Sequence, residues 1–437
     1  MNFSLCFRKI YLAALSVFQP FPNKMVNFFS SGETYRQAFE DQALPMLSYG
    51  LRFSDACAKE ISRLGSSRIY VLASKSLATK SDSLETLKKT LGGKIVGIRI
   101  GIGAHTPISE CLEMINEIRG LDGGIDCIIT LGGGSVTDAG KLVRFALANN
   151  AFTDEEVNTL WGGHSHNPKQ RKDAKLPTIP LICIPTSLSG GEYQHIAGAT
   201  ETVSHAKRTF EPKVNPTLTI QDPELCFLTP QWLWLSSGIR AVDHCVETLC
   251  SLMSNDKGDE EARKGLVKLV PGLLRCKHDP SDIEARHLCQ LGVVEAMSAV
   301  SSGVPLGGSH AIGHQLGPLG VGHGETSCIL LPAVCKYNAS KGANNDRQKA
   351  VADLLLKDQN VLEILKGRDL EKLDLGDILY AIIGELGMPQ TLKAVNVGRD
   401  KLDTLAENSL HDIWIKTNAV PMTEKSQVME VLEMVVG

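Results

Sequence analysis

Three stretches of the chain collect side chains able to do chemistry. The first, GIRAVDHCVETLC at 238–250, sets an arginine, two acids and a histidine within one helical run. Arg240 and His244 are four apart, so they share a helix face one turn from each other. The second, SHAIGHQLGPLGVGHG at 309–324, holds His310, His314 and His323. Its first two histidines are again four apart and can converge on one ion or one substrate, although such pairs are often structural or solvated. The third, IDCIITLGGGSVTDAGK at 125–141, runs from an apolar segment into Gly132, Gly133 and Gly134 and then Ser135. Glycines let a backbone turn sharply and approach a ligand closely, and the helix that follows offers unbonded N–H groups to a phosphate. The spacing is neither G-x-G-x-x-G nor that of a P-loop. Asp138 and Lys141, three apart, lie within reach of whatever sits at that helix N-terminus, or form a surface ion pair.

These stretches need elements to hold them. SRIYVLAS, KIVGIRIGI, IDCIITL and KLPTIPLICIPTS are short apolar runs that predict buried strands. Helical stretches are expected near 82–91, over SECLEMINEIRGL and over TDAGKLVRFALANN. Apolar strands alternating with helices predict a parallel sheet covered on both faces. After Asp222 the texture changes to helices, expected at 231–254, 258–275, 281–302, 308–319 and on to the end. The domains implied are an extension over 1–30, an α/β unit over 31–226 and an all-helical unit over 227–437.

The wording of these stretches resembles a family. GGGSVTDAGK matches G-G-G-S-x-x-D-x-x-K of the iron-containing (group III) alcohol dehydrogenases, and the match continues through IPTSLSGGE, DPELCFLTP, SSGIRAVDHCVE, SHAIGHQLGPLGVGHG and NAVPMT. It covers roughly 35–437 and is closest to the maleylacetate reductase branch. The resemblance implies a Rossmann-like dinucleotide-binding domain with a parallel sheet, an all-helical C-terminal domain and an active-site cleft between them, the fold shared with dehydroquinate synthase. It gives the pyrophosphate of NADH or NADPH to Gly132, Gly133, Gly134 and Ser135, the nicotinamide end to Asp138 and a ribose to Lys141. Thr186, Ser187, Leu188 and Ser189 match a second cofactor loop, with Ser187 where the family often has threonine. After the first strand, Ser74, Lys75 and Ser76 stand where NAD-preferring members carry an aspartate, which favours a 2′-phosphate.

The resemblance also places His244, His310 and His323 at three metal-ligand positions, for Fe2+ or Zn2+, and His314 facing substrate and nicotinamide. The fourth ligand, an aspartate one turn before His244, is replaced here by Arg240. Losing that anion and gaining a guanidinium disfavours a divalent cation. The maleylacetate reductase branch also departs at this position and works without metal. The function expected is NAD(P)H-dependent reduction of a carbonyl or activated double bond on a small carboxylate-bearing substrate, with Arg240 gripping the carboxylate and His314 or His310 supplying the proton. The rivals are a metal-dependent alcohol dehydrogenase, a non-redox enzyme of the dehydroquinate synthase kind, and a nucleotide-binding protein without turnover.

Bulk properties fit a soluble enzyme. The 437 residues are 43% hydrophobic and carry a formal net charge of -4, which speaks against nucleic acid or an anionic membrane as partner. The 12 cysteines are scattered singles, as expected of reduced thiols in a cytoplasmic protein. The first 25 residues are basic with a short apolar run, YLAALSVF, a weak echo of organelle targeting and too short to span a bilayer. A homodimer is expected from the resemblance. His164 and His166 read as a solvated loop, Trp232 and Trp234 as helix packing, and His195 as a residue near the second cofactor loop.

Overall fold

The computed structural model describes residue 29 and residues 32–162, 173–204 and 206–437. The extension over 1–30 lies outside them apart from Phe29, as do His164 and His166. A seven-stranded sheet is built from β1 (Thr34–Gln37), β2 (Met46–Tyr49), β3 (Ile69–Ala73), β4 (Ile95–Ile100), β5 (Cys127–Gly132), β6 (Leu181–Pro185) and β9 (Leu218–Ile220). Its order is β1-β2-β9-β6-β5-β3-β4. Only the β1–β2 pair is antiparallel.

Every residue of β3, β5 and β6 is buried, as central strands covered on both faces must be. On one side lie Leu84, Leu87 and Ile61, and on the other Met114, Ile115, Leu142 and Val143. The helices of this half, Ser83–Leu91, Ile108–Arg119 and Gly134–Ala148, follow the apolar spacing expected of them. Five strands had no sequence signal. They are β1, β2 and β9, of three or four residues each, and a separate hairpin of β7 (Ala197–Thr200) with β8 (Lys207–Phe210).

After Ile220 every described regular element is helical. Helices Gln231–Cys250, Asp256–His278 and Ile283–Ser301 form one core, with Trp234, Leu266, Leu269, Leu273 and Val293 buried among them. The contact is close because small residues stand at the crossings. A Cβ on Gly265 would lie 2.7 Å from Cys245 Sγ and 3.3 Å from Ala296 N. Trp234 is fully buried, but Trp232 is 54% exposed and packs no core, a correction to the packing expected of both. The eleven described cysteines are all free and buried. Among the described residues no helix is long and apolar enough to cross a membrane.

Candidate active site

The C-terminal ends of β5 and β6 make one wall of the site. β5 runs into Gly132, where a Cβ would stand 2.9 Å from Ser74 Cβ, so only glycine lets the chain turn here. Gly133 is the N-cap of helix Gly134–Ala148, and no side chain caps that end. β6 runs into Thr186–Ser189, which comes against the same turn. A Cβ on Gly133 would meet Ser187 Oγ at 3.3 Å, and one on Gly134 would meet Ser189 Cβ at 3.4 Å. The two serine hydroxyls are 3.0 Å apart. Leu188 is buried and its N–H donates to Ser237 Oγ at 3.1 Å, which ties this wall to helix Gln231–Cys250. An uncapped helix start with two loops of glycine and serine beside it fits the pyrophosphate of a dinucleotide.

Asp138 and Lys141 follow on the same helix, 2.8 Å apart. They are not a surface pair. Lys141 is wholly buried, and its ammonium donates to the carbonyls of Gly191 at 2.9 Å, of Gln194 at 3.4 Å and of Ile196. All its donors are spent on the chain, so it shapes the segment behind the serine loop and has none left for the ribose expected of it. Asp138 also accepts from Gly198 N–H at 3.1 Å, which anchors β7. His195, within the same segment, is half-buried and held low by desolvation.

Helix Gln231–Cys250 makes the opposite wall. Helix His323–Ser340 presses against it, since a Cβ on Gly324 would stand 2.4 Å from the Ser236 backbone. That approach sets Ser327 beside Arg240, whose Nη1 donates to Ser327 Oγ at 3.1 Å. Arg240 is 12% exposed, and Asp243 Oδ2 stands 3.9 Å from Nη1. Desolvation draws the guanidinium down, and Asp243, Glu247 and Asp412 pull it back up. With one hydroxyl bond and a loose ion pair, most of its five donors have no partner among the described residues.

Behind it lies a buried acid pair. Asp243 accepts from Ser309 Oγ at 2.8 Å and Ser327 Oγ at 2.5 Å. Glu247 accepts from the N–H groups of Gly307 and Ser309, each at 2.8 Å, and so caps helix Gly308–Leu316 from outside. The same carboxylate lies 2.8 Å from His310 Nδ1. Burial raises both acids, and for Glu247 the nearby Asp243 adds to it. His310 thus has Nδ1 fixed, while its Nε2 is buried without a partner. His244 stacks on it with centroids 4.7 Å apart. Burial and then Arg240 hold His244 neutral, down to about 3.

His314, one turn on, bonds Asp412 Oδ2 through Nδ1 at 2.8 Å, and Asp412 is fixed in turn by Trp414 N–H at 2.9 Å. His314 is 27% exposed, against 1% for His310, so it is the histidine water and ligands reach. His323 meets Lys207 of β8, Nε2 to Nζ 2.8 Å, and its Nδ1 is buried without a partner. Lys207 comes first and burial second in holding His323 far down. Lys207 has open surface, yet so many protein atoms surround its ammonium that desolvation, then Arg240, pulls it down to about 8. Asp412, Glu247 and Lys207 carried no sequence signal as site residues.

A metal does not fit this arrangement. Among the described residues, one group of three brings its ligand atoms within 4.8 Å of each other: Asp243, Glu247 and His310. Its oxygens already accept from two hydroxyls, two amides and an imidazole. The trio expected to share an ion, His244, His310 and His323, does not form such a group. Arg240 and Lys207 bring two cations to the space between those histidines, and a divalent ion there would meet repulsion with no free carboxylate to offset it.

A dinucleotide cradle facing a wall of neutral histidines and fixed cations defines a nicotinamide-dependent oxidoreductase of the two-domain, sheet-plus-helices kind. Comparison with known proteins agrees. Residues 48–223 match iron-containing alcohol dehydrogenase, and residues 234–436 match the C-terminal part of the Fe-containing alcohol dehydrogenase family. The chain belongs to that family. Dehydrogenase FUM7 of Gibberella moniliformis is 39% identical over 424 residues, covering 92% of this chain and 98% of its own. Maleylacetate reductase of a Rhizobium species is 30% identical over 361 residues, 82% of this chain and 87% of that one. The crystal structure of maleylacetate reductase from Rhizobium superimposes with TM-score 0.67 at 28% identity, covering 88% of this chain and 93% of that one. The chain thus lies near the maleylacetate reductase branch, as its motifs implied.

Proposed function

We propose that this chain reduces a carbonyl, or a double bond conjugated to one, on a small carboxylate-bearing substrate, using NADPH or NADH and no divalent metal. The observation that carries this reading is Arg240: a permanently charged fork, mostly buried beside His244 and His310 and tied only by one hydroxyl bond and a loose ion pair. Such a group suits a carboxylate or a developing alkoxide, because fixed donors in a poorly solvated cleft need no reorganisation as charge appears. The similarity to maleylacetate reductase supports the same substrate class.

The nicotinamide, when bound, supplies the hydride. Gly133, Gly134, Ser135, Ser187 and Ser189 would hold the pyrophosphate of the dinucleotide. Lys75 and Ser76, exposed after β3, favour NADPH because a cation and a hydroxyl suit a 2′-phosphate where a carboxylate would repel it. Arg240 fixes the substrate oxygen that becomes negative. His314, neutral at rest, takes a solvent proton at its exposed edge while Asp412 holds Nδ1, and passes the Nε2 proton to that oxygen as it returns to neutral imidazole. His310 and His244 pack the floor and exclude water.

The test is Arg240→Asn, in purified protein also assayed for metal content. Loss of turnover of acidic substrates with no metal in the active wild type supports the reading. One tightly held iron or zinc per chain, removable with loss of activity, would return the site to the metal-dependent class.

A further inference from the structure

Beside Lys207 and His323 opens a cavity of about 380 Å³, whose wall includes His105, Thr200 and Gly320. The backbone that brings His105 there is strained. His105 and Thr106 both have left-handed backbone angles, φ 60° and 54°. L-residues with a Cβ rarely adopt that conformation, and a β-branched threonine least of all. The neighbours hold the pair in place. Thr200 Oγ1 donates to the His105 carbonyl at 3.0 Å, Thr200 N–H donates to the Thr106 carbonyl at 3.0 Å, and Thr106 Oγ1 donates to the Ser135 carbonyl at 3.1 Å. Thr106 is buried, whereas His105 is turned to the cavity, edge-on to His323 at 5.5 Å. Residues kept in sparsely populated backbone regions cluster where a side chain must be presented to a ligand.

We infer that His105 is a specificity-determining residue whose imidazole hydrogen-bonds an oxygen at the end of the substrate remote from its reacting carbonyl. The inference rests on the proposed reduction for its substrate, but not for its geometry. The bonds from Thr200 and to the Ser135 carbonyl join the strained turn to β7 and to the glycine loop, so His105 is held in register with the cofactor cradle. Its neighbour Lys207 is within ion-pair distance of no carboxylate among the described residues. An oxygen-bearing tail, carboxylate or hydroxyl, therefore finds a donor ring and a cation together, whereas a methyl end finds neither.

The experiment compares wild type with His105→Ala, His105→Asn and His105→Gly, using succinic semialdehyde and butanal as probes with NADPH. His105→Asn keeps a residue that tolerates the left-handed backbone, and His105→Gly removes the strain altogether. Expected is a KM for succinic semialdehyde raised about tenfold in all three variants, with kcat and the KM for butanal little changed. His105→Gly should also melt at a higher temperature than wild type, the signature of strain kept for function. Equal KM values across the four proteins, or a lower melting point for His105→Gly, would overturn the inference. If wild type reduces neither probe, the proposed reduction fails, and calorimetric titration with succinate decides the inference: binding about tenfold weaker in His105→Asn supports it, and equal binding sinks it.

Discussion

The two walls of the cleft are made of different materials. Around Gly132–Ser135 and Thr186–Ser189 the contacts offered to a ligand are backbone N–H groups and small hydroxyls, and they depend on glycines that leave room. Across the cleft, helices Gln231–Cys250 and Gly308–Leu316 offer long side chains, each aimed by a second residue: Arg240 by Ser327, His310 by Glu247, His314 by Asp412. A backbone wall changes little when one side chain is replaced. A side-chain wall changes its chemistry at once, and Arg240 shows how: one residue puts a guanidinium beside His244 and His310. One ring nitrogen on each of His244, His310 and His323 is buried without a hydrogen-bond partner, so this wall keeps polar groups that the chain itself does not satisfy.

The difference predicts where mutation does most damage. Arg240→Ala should lower kcat/KM for an acidic substrate by roughly a thousandfold, the order expected when one partner of a desolvated charge pair is removed. Arg240→Asp should do the reverse for metal: with an anion restored beside His244, the variant should bind zinc in a dialysis assay where wild type does not. A wild type that binds zinc equally well would erase the contrast between the walls.

The backbone wall has its own dependence on charge, through Glu192. This carboxyl is buried behind the serine loop, and desolvation pushes it up to about 7. Its folded value lies above the unfolded one near 4.5, so its contribution to stability is fully present below pH 4.5 and is lost as pH rises through 7. A shift of that size corresponds to about 3 kcal/mol between those limits. Glu192→Gln should flatten urea-derived stability across that window. A wild type with no slope there would mean that the carboxyl finds an ionic partner.

On the side-chain wall a smaller loss is expected at Asp412. Asp412→Asn keeps the shape but weakens the grip on His314 Nδ1, and should reduce kcat by about ten- to a hundredfold with KM little changed. A purely structural role would instead lower the melting temperature and leave the pH profile of kcat in place.

How much of this was legible in the sequence follows the same division. β3, β5 and β6 were visible because central parallel strands are continuous apolar runs, and Gly132–Gly134 because a triple glycine between strand and helix has few other uses. β1, β2 and β9 were not, since MLSY or LTI carries too few residues to show a period. On the histidine wall the spacings within one helix were legible, so His310 and His314, or Arg240 and His244, could be paired. Their partners could not: Asp412 lies 98 residues from His314, and Glu247 lies 63 from His310. Lys141 misled for the same reason, because nothing local shows that three carbonyls 50 to 55 residues away will take its protons.

The mildest change tests the cradle most narrowly. Ser187 stands where the family often carries threonine, and its hydroxyl is shared with Ser189 at 3.0 Å. Ser187→Thr keeps that hydroxyl and adds one methyl beside Gly133, whose own missing Cβ leaves the space at 3.3 Å. A wall built from backbone should absorb the methyl, so the KM for NADPH is expected to stay within about twofold, as for a change that leaves the hydrogen bonds intact. Should KM rise tenfold instead, the serine side chains grip the pyrophosphate directly, and the two walls differ less than their construction implies. Gly133→Ala separates the cases: its methyl would stand 3.3 Å from Ser187 Oγ and press the two loops apart, so it should cost more than any change at Ser187.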